Sequence, residues 1–260
     1  ITAVATYLAG TGIYEYIAEV MNHNPLWRVF GNFTNPDFFA GFLILSIPLA
    51  LGGILSSRAV RSKASYSIAL IVQTACLFLT GSRLGVAALV LSIITFAVLT
   101  TITGAKFASG NKGFVIAGVV GIVLLGVVGK PLAARLFSSG AENYSAQFRL
   151  YTWNGTMKMI PAKPITGFGP GSFEAAYPKF AVVGYTQHGH GSWLQYAAEF
   201  GLPLFVLTMV GLLAVILSGI KTAKSNSANP DLRTKSIWIC AGISAIVGAV
   251  FHNLFDSDLY

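Results

Sequence analysis

FFAGFLILSIPLALGGILSS, residues 38–57, carries no charged side chain from end to end. A helix needs about 17 to 25 such residues to cross a bilayer core about 30 Å thick. In hydrocarbon the backbone has only itself to hydrogen-bond, so a stretch of this kind spans as a helix. Similar uncharged stretches occupy Ala64–Ser82, Leu84–Ala105, Gly113–Gly129, Phe200–Ile220 and Ser236–Phe255. With Ile1–Tyr14 they predict about seven transmembrane helices. Composition points the same way: 10% of residues are charged and 54% hydrophobic, where a soluble domain carries about 25% charged residues. The expected fold class is an all-α integral membrane protein, a polytopic helical bundle with residues 1–260 as one transmembrane domain. The chain opens inside an apolar segment without a basic leader, so no signal peptide is read and a piece of a longer chain is expected. Cys76 and Cys240 fall inside apolar spans, where a thiol behaves as a small buried hydrophobe.

Lysine and arginine in short connectors set the orientation. Arg58, Arg61 and Lys63, then Lys106 and Lys112, then Lys221, Lys224, Arg233 and Lys235 all fall on one side if every span crosses. That side is expected to be cytoplasmic, which leaves the segment 130–199 as a long external loop, together with Asn22–Pro36, the turn at Gly81–Leu84 and the tail from His252. Nine of the 17 basic residues behind the net charge of +8 are thereby explained by topology, and no nucleic-acid partner is expected. Among the outward-facing basic residues Arg83 stands apart, because Thr80-Gly-Ser-Arg83-Leu-Gly85 leaves almost no loop around it. An arginine at a membrane boundary either snorkels to the headgroups or answers an anion.

Within the external loop, FRLYTWNGTMKMI (148–160) reads as an amphipathic helix ended by Pro161. Arg149, Trp153 and Thr156 share one face of it. Either the helix lies among the headgroups with Trp153 and Met157 dipping in, or Arg149, near its first turn, points at a ligand. Gly167-Phe-Gly-Pro-Gly171 lacks the dinucleotide spacing and reads as a turn that folds the loop back. His188-Gly-His190 precedes Ser192-Trp-Leu-Gln195, which matches a capping box and predicts a helix from about Trp193 to Gly201-Leu-Pro203. His190 therefore stands just outside a helix N-terminus, where the local positive potential favours a neutral ring able to accept a proton. A metal site built on His188 and His190 would want three or four ligands, and too few are in view; metal, base and spectator readings remain side by side.

Gly31-Asn-Phe-Thr-Asn-Pro36, Thr80-Gly-Ser-Arg83, Arg149-Leu-Tyr-Thr-Trp153 followed by Pro164-Ile-Thr-Gly-Phe-Gly169, and His188-Gly-His190 leading into Glu199-Phe-Gly201 together resemble the O-antigen ligase and polymerase superfamily. The likeness covers nearly the whole chain in order. Ligases of that family carry a histidine followed by Asn, Ser or Gln, then nine residues, Gly, two residues, and Gly, Thr or Tyr. His190 and Gly201 keep that spacing, while Gly191 and Leu204 depart from the flanking types.

The resemblance implies a GT-C-like bundle and a metal-independent, inverting glycosyltransferase without a cofactor, of the inner (plasma) membrane, with its active site on the external, periplasmic face. Its donor would be an undecaprenyl diphosphate-linked glycan and its acceptor a glycan, lipid or protein hydroxyl. Arg83 and Arg149 match the family's diphosphate arginines, and a guanidinium binds phosphate oxygens with its planar fork. His190 matches the general base. Arg28 is a further candidate for the anion site. His188, His252, Asp256 and Glu199 are possible supporting residues; Asp258 joins His252 and Asp256 at the end of the last span. Glu15 and Glu19, four apart on the first span, share one helix face and are candidates for lining a cavity. A repeat-unit polymerase and a protein O-oligosaccharyltransferase are alternatives within the class. A lipid-linked glycan transporter or a non-catalytic homologue is the alternative outside it.

Overall fold

The computed structural model describes residues 1–105, 142–229 and 232–258. The expected span Gly113–Gly129, the basic residues Lys106, Lys112, Lys130 and Arg135, and the start of the external loop lie outside the described residues. The described residues are helical and contain no strand. Among the described residues five helices are long and apolar enough to cross a membrane, so the chain is a helical, multi-pass membrane protein. They divide into two compact units: the described parts of Ile1–Phe137 with Ile216–Ala249, and those of Ser138–Val215 with Val250–Tyr260.

The first unit holds α1 (Thr2–Met21), α2 (Pro36–Ser56), α3 (Val60–Leu79) and α4 (Arg83–Thr103). It also takes the C-terminal part of α8 (Leu202–Ala228) and most of α9 (Arg233–His252). The opening stretch forms α2, whose side chains are buried along nearly its full length, and α1, α3 and α4 pack against it. Its start is written locally: Asn35 caps the helix by accepting the Asp37 N–H at 2.8 Å, and Pro36 fills the first position. Small residues let the helices approach, as membrane packing requires. A Cβ on Gly53 would stand 2.5 Å from the Tyr66 ring, and one on Gly52 2.8 Å from Ala241. Gly248 lies against Ile44 and Ser92, and Ser92 Oγ donates to the Ser244 carbonyl at 2.7 Å. Pairing 241 with 52 and 248 with 44 makes α9 antiparallel to α2. The Arg58–Lys63 connector and the Arg233–Lys235 start of α9 therefore meet at one end of this unit, where Tyr66 packs edge-on against Trp238.

α1 differs from the expectation. It runs to Met21, and it is not among the five helices apolar enough to span. Its glutamates are engaged by the loop that follows the helix. Glu15 accepts the Trp27 indole N–H at 2.6 Å and the Gly31 N–H at 2.9 Å, and Glu19 accepts from Asn24. Carboxylates on a helix thus tie down the turn that follows it, which explains their four-residue spacing.

The second unit is built from α5 (Glu142–Ala162), the short α6 (Phe173–Ala176) with its 3-10 turn Tyr177–Lys179, α7 (Ser192–Phe200) and the N-terminal part of α8. Its core is Met159, Phe173, Tyr177 and Ala198. Tyr177 stacks on Phe173 at 5.0 Å and lies over Gly155, where a Cβ would meet its ring at 2.7 Å. Burial pushes the Tyr177 phenol above its usual range. α5 continues through Pro161 to Ala162 rather than stopping before the proline. The proline falls in the last turn, where few backbone bonds remain to be lost, and Lys163 N closes the end on the Ile160 carbonyl at 3.3 Å. Arg149 is consequently two turns inside α5, not in its first turn. Trp153 turns inward instead of dipping outward with Met157, which is 54% exposed.

Candidate functional site

His190 is the residue on which the second unit converges. Its backbone is left-handed, φ +49°, a conformation rare for a side chain larger than glycine's and one that persists only where its surroundings over-determine it. Those surroundings are hydrogen bonds on either side. Trp153 Nε1 donates to the His190 carbonyl at 2.7 Å, Gly189 N donates to Gln195 Oε1 at 2.8 Å, and Gln195 N donates to the Gly191 carbonyl at 3.1 Å. The half-buried imidazole meets the Phe148 ring edge-on at 5.6 Å. Gly191 is the cap residue of α7 in extended backbone. A Cβ there would lie 3.1 Å from both Trp153 Nε1 and the Leu254 carbonyl, so the departure at Gly191 has a packing reason in this chain: it makes room for the indole that clamps His190.

The expected capping box is absent. Ser192 makes no side-chain cap; its N–H is shared by the carbonyls of Asn253 and Asp256, at 3.0 and 2.8 Å. Its hydroxyl reaches Asn253 Oδ1 at 2.5 Å and the Asp256 carbonyl at 3.0 Å. Gln195, the other half of the box, faces Gly189 and Glu199. The α7 N-terminus is thus satisfied by the tail after α9, which sequence reasoning missed, since the partner stands 61 positions away. The boundary at Gly201 holds as expected: at φ +81° it separates α7 from α8.

The same tail carries the acids. His252, wholly buried, places Nδ1 2.5 Å from Asp258 Oδ2, which also accepts from Asn253 Nδ2 at 3.3 Å. Asp256 Oδ1 accepts the Ser257 N–H, and Oδ2 stands 3.8 Å from the Arg149 guanidinium. His252, Asp256 and Asp258 present ligand atoms within 4.8 Å of one another, the one group among the described residues with spacing for a metal ion. Its acids are already engaged by a histidine and an arginine, however. His188 belongs to no such group; its backbone exchanges hydrogen bonds with the Thr186 hydroxyl. Arg149 is loosely held by comparison with an ordinary charge-assisted bond of about 2.8 Å, and its buried Nε has no hydrogen-bond partner among the described residues.

Glu199 is fully buried and is paired with no cation among the described residues. Its Oε2 accepts the Gly171 N–H at 3.0 Å, and its Oε1 accepts from Phe173 N at 3.1 Å and Gln195 Nε2 at 3.2 Å. The glycine-rich segment is therefore the expected fold-back turn, pinned to α7. Gly167, at φ +64°, lies so close that a Cβ would stand 2.2 Å from the Glu199 carbonyl.

In the first unit, Arg28 Nε donates to the Thr80 carbonyl at 2.7 Å and its terminal nitrogen pairs with Asp37 at 2.9 Å. Val29 N bonds the Leu79 carbonyl at 3.1 Å, so the α1–α2 loop and the α3–α4 turn share one end of this unit. Ser82 caps α4 by accepting the Gly85 N–H at 3.1 Å, and half-buried Arg83 is the helix's first residue.

The described residues thus define a helical, multi-pass membrane protein with a buried polar cluster beside a left-handed histidine. The family model described as O-antigen ligase matches residues 68–209, more than half of the chain, and the chain belongs to that family. It is accordingly a glycosyltransferase-type membrane enzyme of polysaccharide biosynthesis, with a lipid-linked glycan and an acceptor as its general partners. The match takes in Arg83, Arg149, His188, His190 and Glu199, and ends before the tail at His252–Asp258. No curated protein and no solved structure matches the chain.

Proposed function

We propose that the protein transfers a glycan from an undecaprenyl diphosphate donor to an acceptor hydroxyl on the outer face of the plasma membrane, inverting the anomeric centre without a metal. The observation that carries this reading is His190, a non-glycine residue held left-handed at the mouth of α7 with its backbone clamped on both sides. His190 takes the proton of the acceptor hydroxyl, and the oxygen attacks the anomeric carbon opposite the diphosphate. The bond from that carbon to the diphosphate oxygen breaks, and the electron pair leaves with the lipid diphosphate.

Arg149 and Arg83 are assigned to the diphosphate. Arg149 is only loosely paired, with a donor nitrogen to spare. Arg83 adds a cation to the positive end of the α4 dipole, an arrangement that an anion stabilises. Arg28 holds the turn from which Arg83 starts, and so acts on the donor through Arg83. A diphosphate is already a good leaving group, so paired carboxylates of the glycosidase kind are not required.

The test uses purified full-length protein, an undecaprenyl diphosphate glycan and candidate acceptors in the presence of EDTA. Release of lipid diphosphate with a glycosylated product is expected, and the acceptor that works separates a ligase from a repeat-unit polymerase or a protein O-oligosaccharyltransferase. His190→Ala is expected to lower transfer by about 10²–10⁴-fold while donor binding persists. Unimpaired transfer by that variant removes the histidine from the chemistry, and donor binding with no transfer to any acceptor favours a non-catalytic or translocating role.

A further inference from the structure

A carboxylate buried without a cation is expensive, since desolvation of an unpaired charge costs several kcal/mol. Glu199 is such a group at 0% exposure, and the polar side chain one turn before it, Gln195, is 2% exposed. Packing α7 against the Gly167–Phe173 segment calls for apolar residues at these positions, not for a charge and an amide. The two are arranged as a relay. The Glu199 carboxylate accepts the Gln195 Nε2 at 3.2 Å, which fixes the amide's orientation and turns its oxygen toward Gly189 N, 2.8 Å away. Gly189 packs tightly on the same side chain: a Cβ there would stand 3.1 Å from Gln195 Cβ. The His188–Gly189 peptide, one residue ahead of His190, is thus set by a hydrogen bond whose direction is dictated by a buried charge. The far side of Glu199 holds Gly171 N and Phe173 N, so the glycine segment and the histidine loop hang from the same carboxylate.

We infer that Gln195 is a positioning residue for His190, oriented by Glu199, and that the pair couples the Gly167–Phe173 segment to the geometry of the base. This inference deepens the reading of His190 as the acceptor-activating base and rests on it. Trp153 holds the His190–Gly191 peptide through the His190 carbonyl, and Gln195 holds the His188–Gly189 peptide, so the backbone is anchored on both sides of His190 and the imidazole keeps its bearing while donor and acceptor exchange. A base displaced by about 1 Å loses up to about a hundredfold in rate, with binding untouched.

The experiment measures kcat, donor KM and the pH profile of transfer for wild type, Gln195→Leu and Gln195→Glu in the full-length protein, alongside His190→Ala. Leucine keeps the buried volume and deletes both hydrogen bonds; kcat is expected to fall at least about tenfold with donor KM within about twofold. Glutamate at this position can still accept the Gly189 N–H, but it faces Glu199. Two adjacent carboxylates ionise together only at a cost, so one holds its proton to higher pH. The activity of Gln195→Glu relative to wild type is therefore expected to be highest at low pH and to fall as pH rises through the pair's upper pKa. A role confined to stability moves the thermal midpoint and leaves both the split between kcat and KM and this ratio flat.

Wild-type kcat in a folded Gln195→Leu protein overturns the inference, as does an equal loss in kcat and donor affinity. If the leucine variant does not fold, Gln195→Glu decides: a pH-independent ratio to wild type overturns the inference, and the predicted fall supports it. Full activity in His190→Ala would instead sink the base reading itself, so the two failures are told apart.

Discussion

Arg28 in the first unit and Arg149 in the second are both half-sheltered arginines beside an aspartate, and they are held in opposite ways. Arg28 is closed on itself: a 2.7 Å bond to a backbone carbonyl and a 2.9 Å ion pair with Asp37 use the fork from two sides, although its side chain is 44% exposed. Arg149 is 25% exposed, sits 3.8 Å from Asp256, and keeps a buried nitrogen without a hydrogen bond among the described residues. Burial makes an unsatisfied donor expensive and an exposed one cheap. The more buried arginine is therefore the one with binding capacity left to give to an anion, and the more exposed one is a brace. Proximity to a carboxylate does not by itself distinguish a ligand arginine from a structural one; what counts is how much of its hydrogen-bonding capacity is already taken.

The largest expected effect tests the open arginine. Arg149→Ala should lower transfer by about 10²–10³-fold, in the range for losing a donor aimed at developing charge, and should weaken donor binding as well. Arg149→Lys should recover little, because a point charge does not replace a planar fork. Transfer assays together with donor titration check this, and a variant with wild-type donor affinity would close the gap between the two arginines from the Arg149 side.

A second pair sharpens the contrast between the units. Gly167 and Gly81 are both left-handed, at φ +64° and +65°. A Cβ on Gly167 would meet backbone, 2.2 Å from the Glu199 carbonyl, whereas one on Gly81 would stand 3.3 Å from Arg28 Nε on a flexible side chain. Gly167→Ala is expected to cost about 3 kcal/mol or more, since backbone cannot yield. Gly81→Ala should cost about 1–2 kcal/mol, the left-handed penalty alone. Thermal midpoints in detergent rank the two; a smaller drop for Gly167→Ala would mean that the fold-back turn is not pinned as tightly as its contacts indicate.

How much of this was legible beforehand follows from how local each determinant is. α2 was legible to within two residues, Phe38–Ser57 expected against Pro36–Ser56 found, because an uncharged run has a length. Gly201 and Pro203 placed the break between α7 and α8, again from a local signal, and the family motifs put His190 at the mouth of α7. The capping box misled because Ser192 and Gln195 have the right types and spacing but better partners in three dimensions. Ser192 goes to Asn253 and Asp256, and Gln195 to Gly189 and Glu199. No local pattern announces a partner at that separation. Trp153 was misassigned on similar grounds: an indole at the edge of an amphipathic helix suits a headgroup layer or a backbone carbonyl equally well, and only the fold supplies the His190 oxygen. Gln195 was visible in the sequence, but the signal that marks it, an amide one turn before a glutamate on a buried face, means something only once burial is known.

The smallest expected effect is also the one that decides the comparison. Arg28→Ala removes an ion pair whose arginine is nearly half exposed, and such pairs are worth about 0–1 kcal/mol. It also frees the Thr80 carbonyl, close to the cap of α4, so the turn presenting Arg83 should loosen without unfolding. Donor affinity should therefore fall by less than about tenfold, and Asp37→Asn, which weakens the pair but leaves the Nε bond to Thr80, should matter less still. A hundredfold loss in Arg28→Ala matched by Asp37→Asn would point to the ion pair as the brace. The same loss with Asp37→Asn unchanged would make Arg28 a donor ligand in its own right. In that case two occupied hydrogen bonds would not have closed the fork, and the distinction between a satisfied and an open arginine would have to be drawn from charge alone.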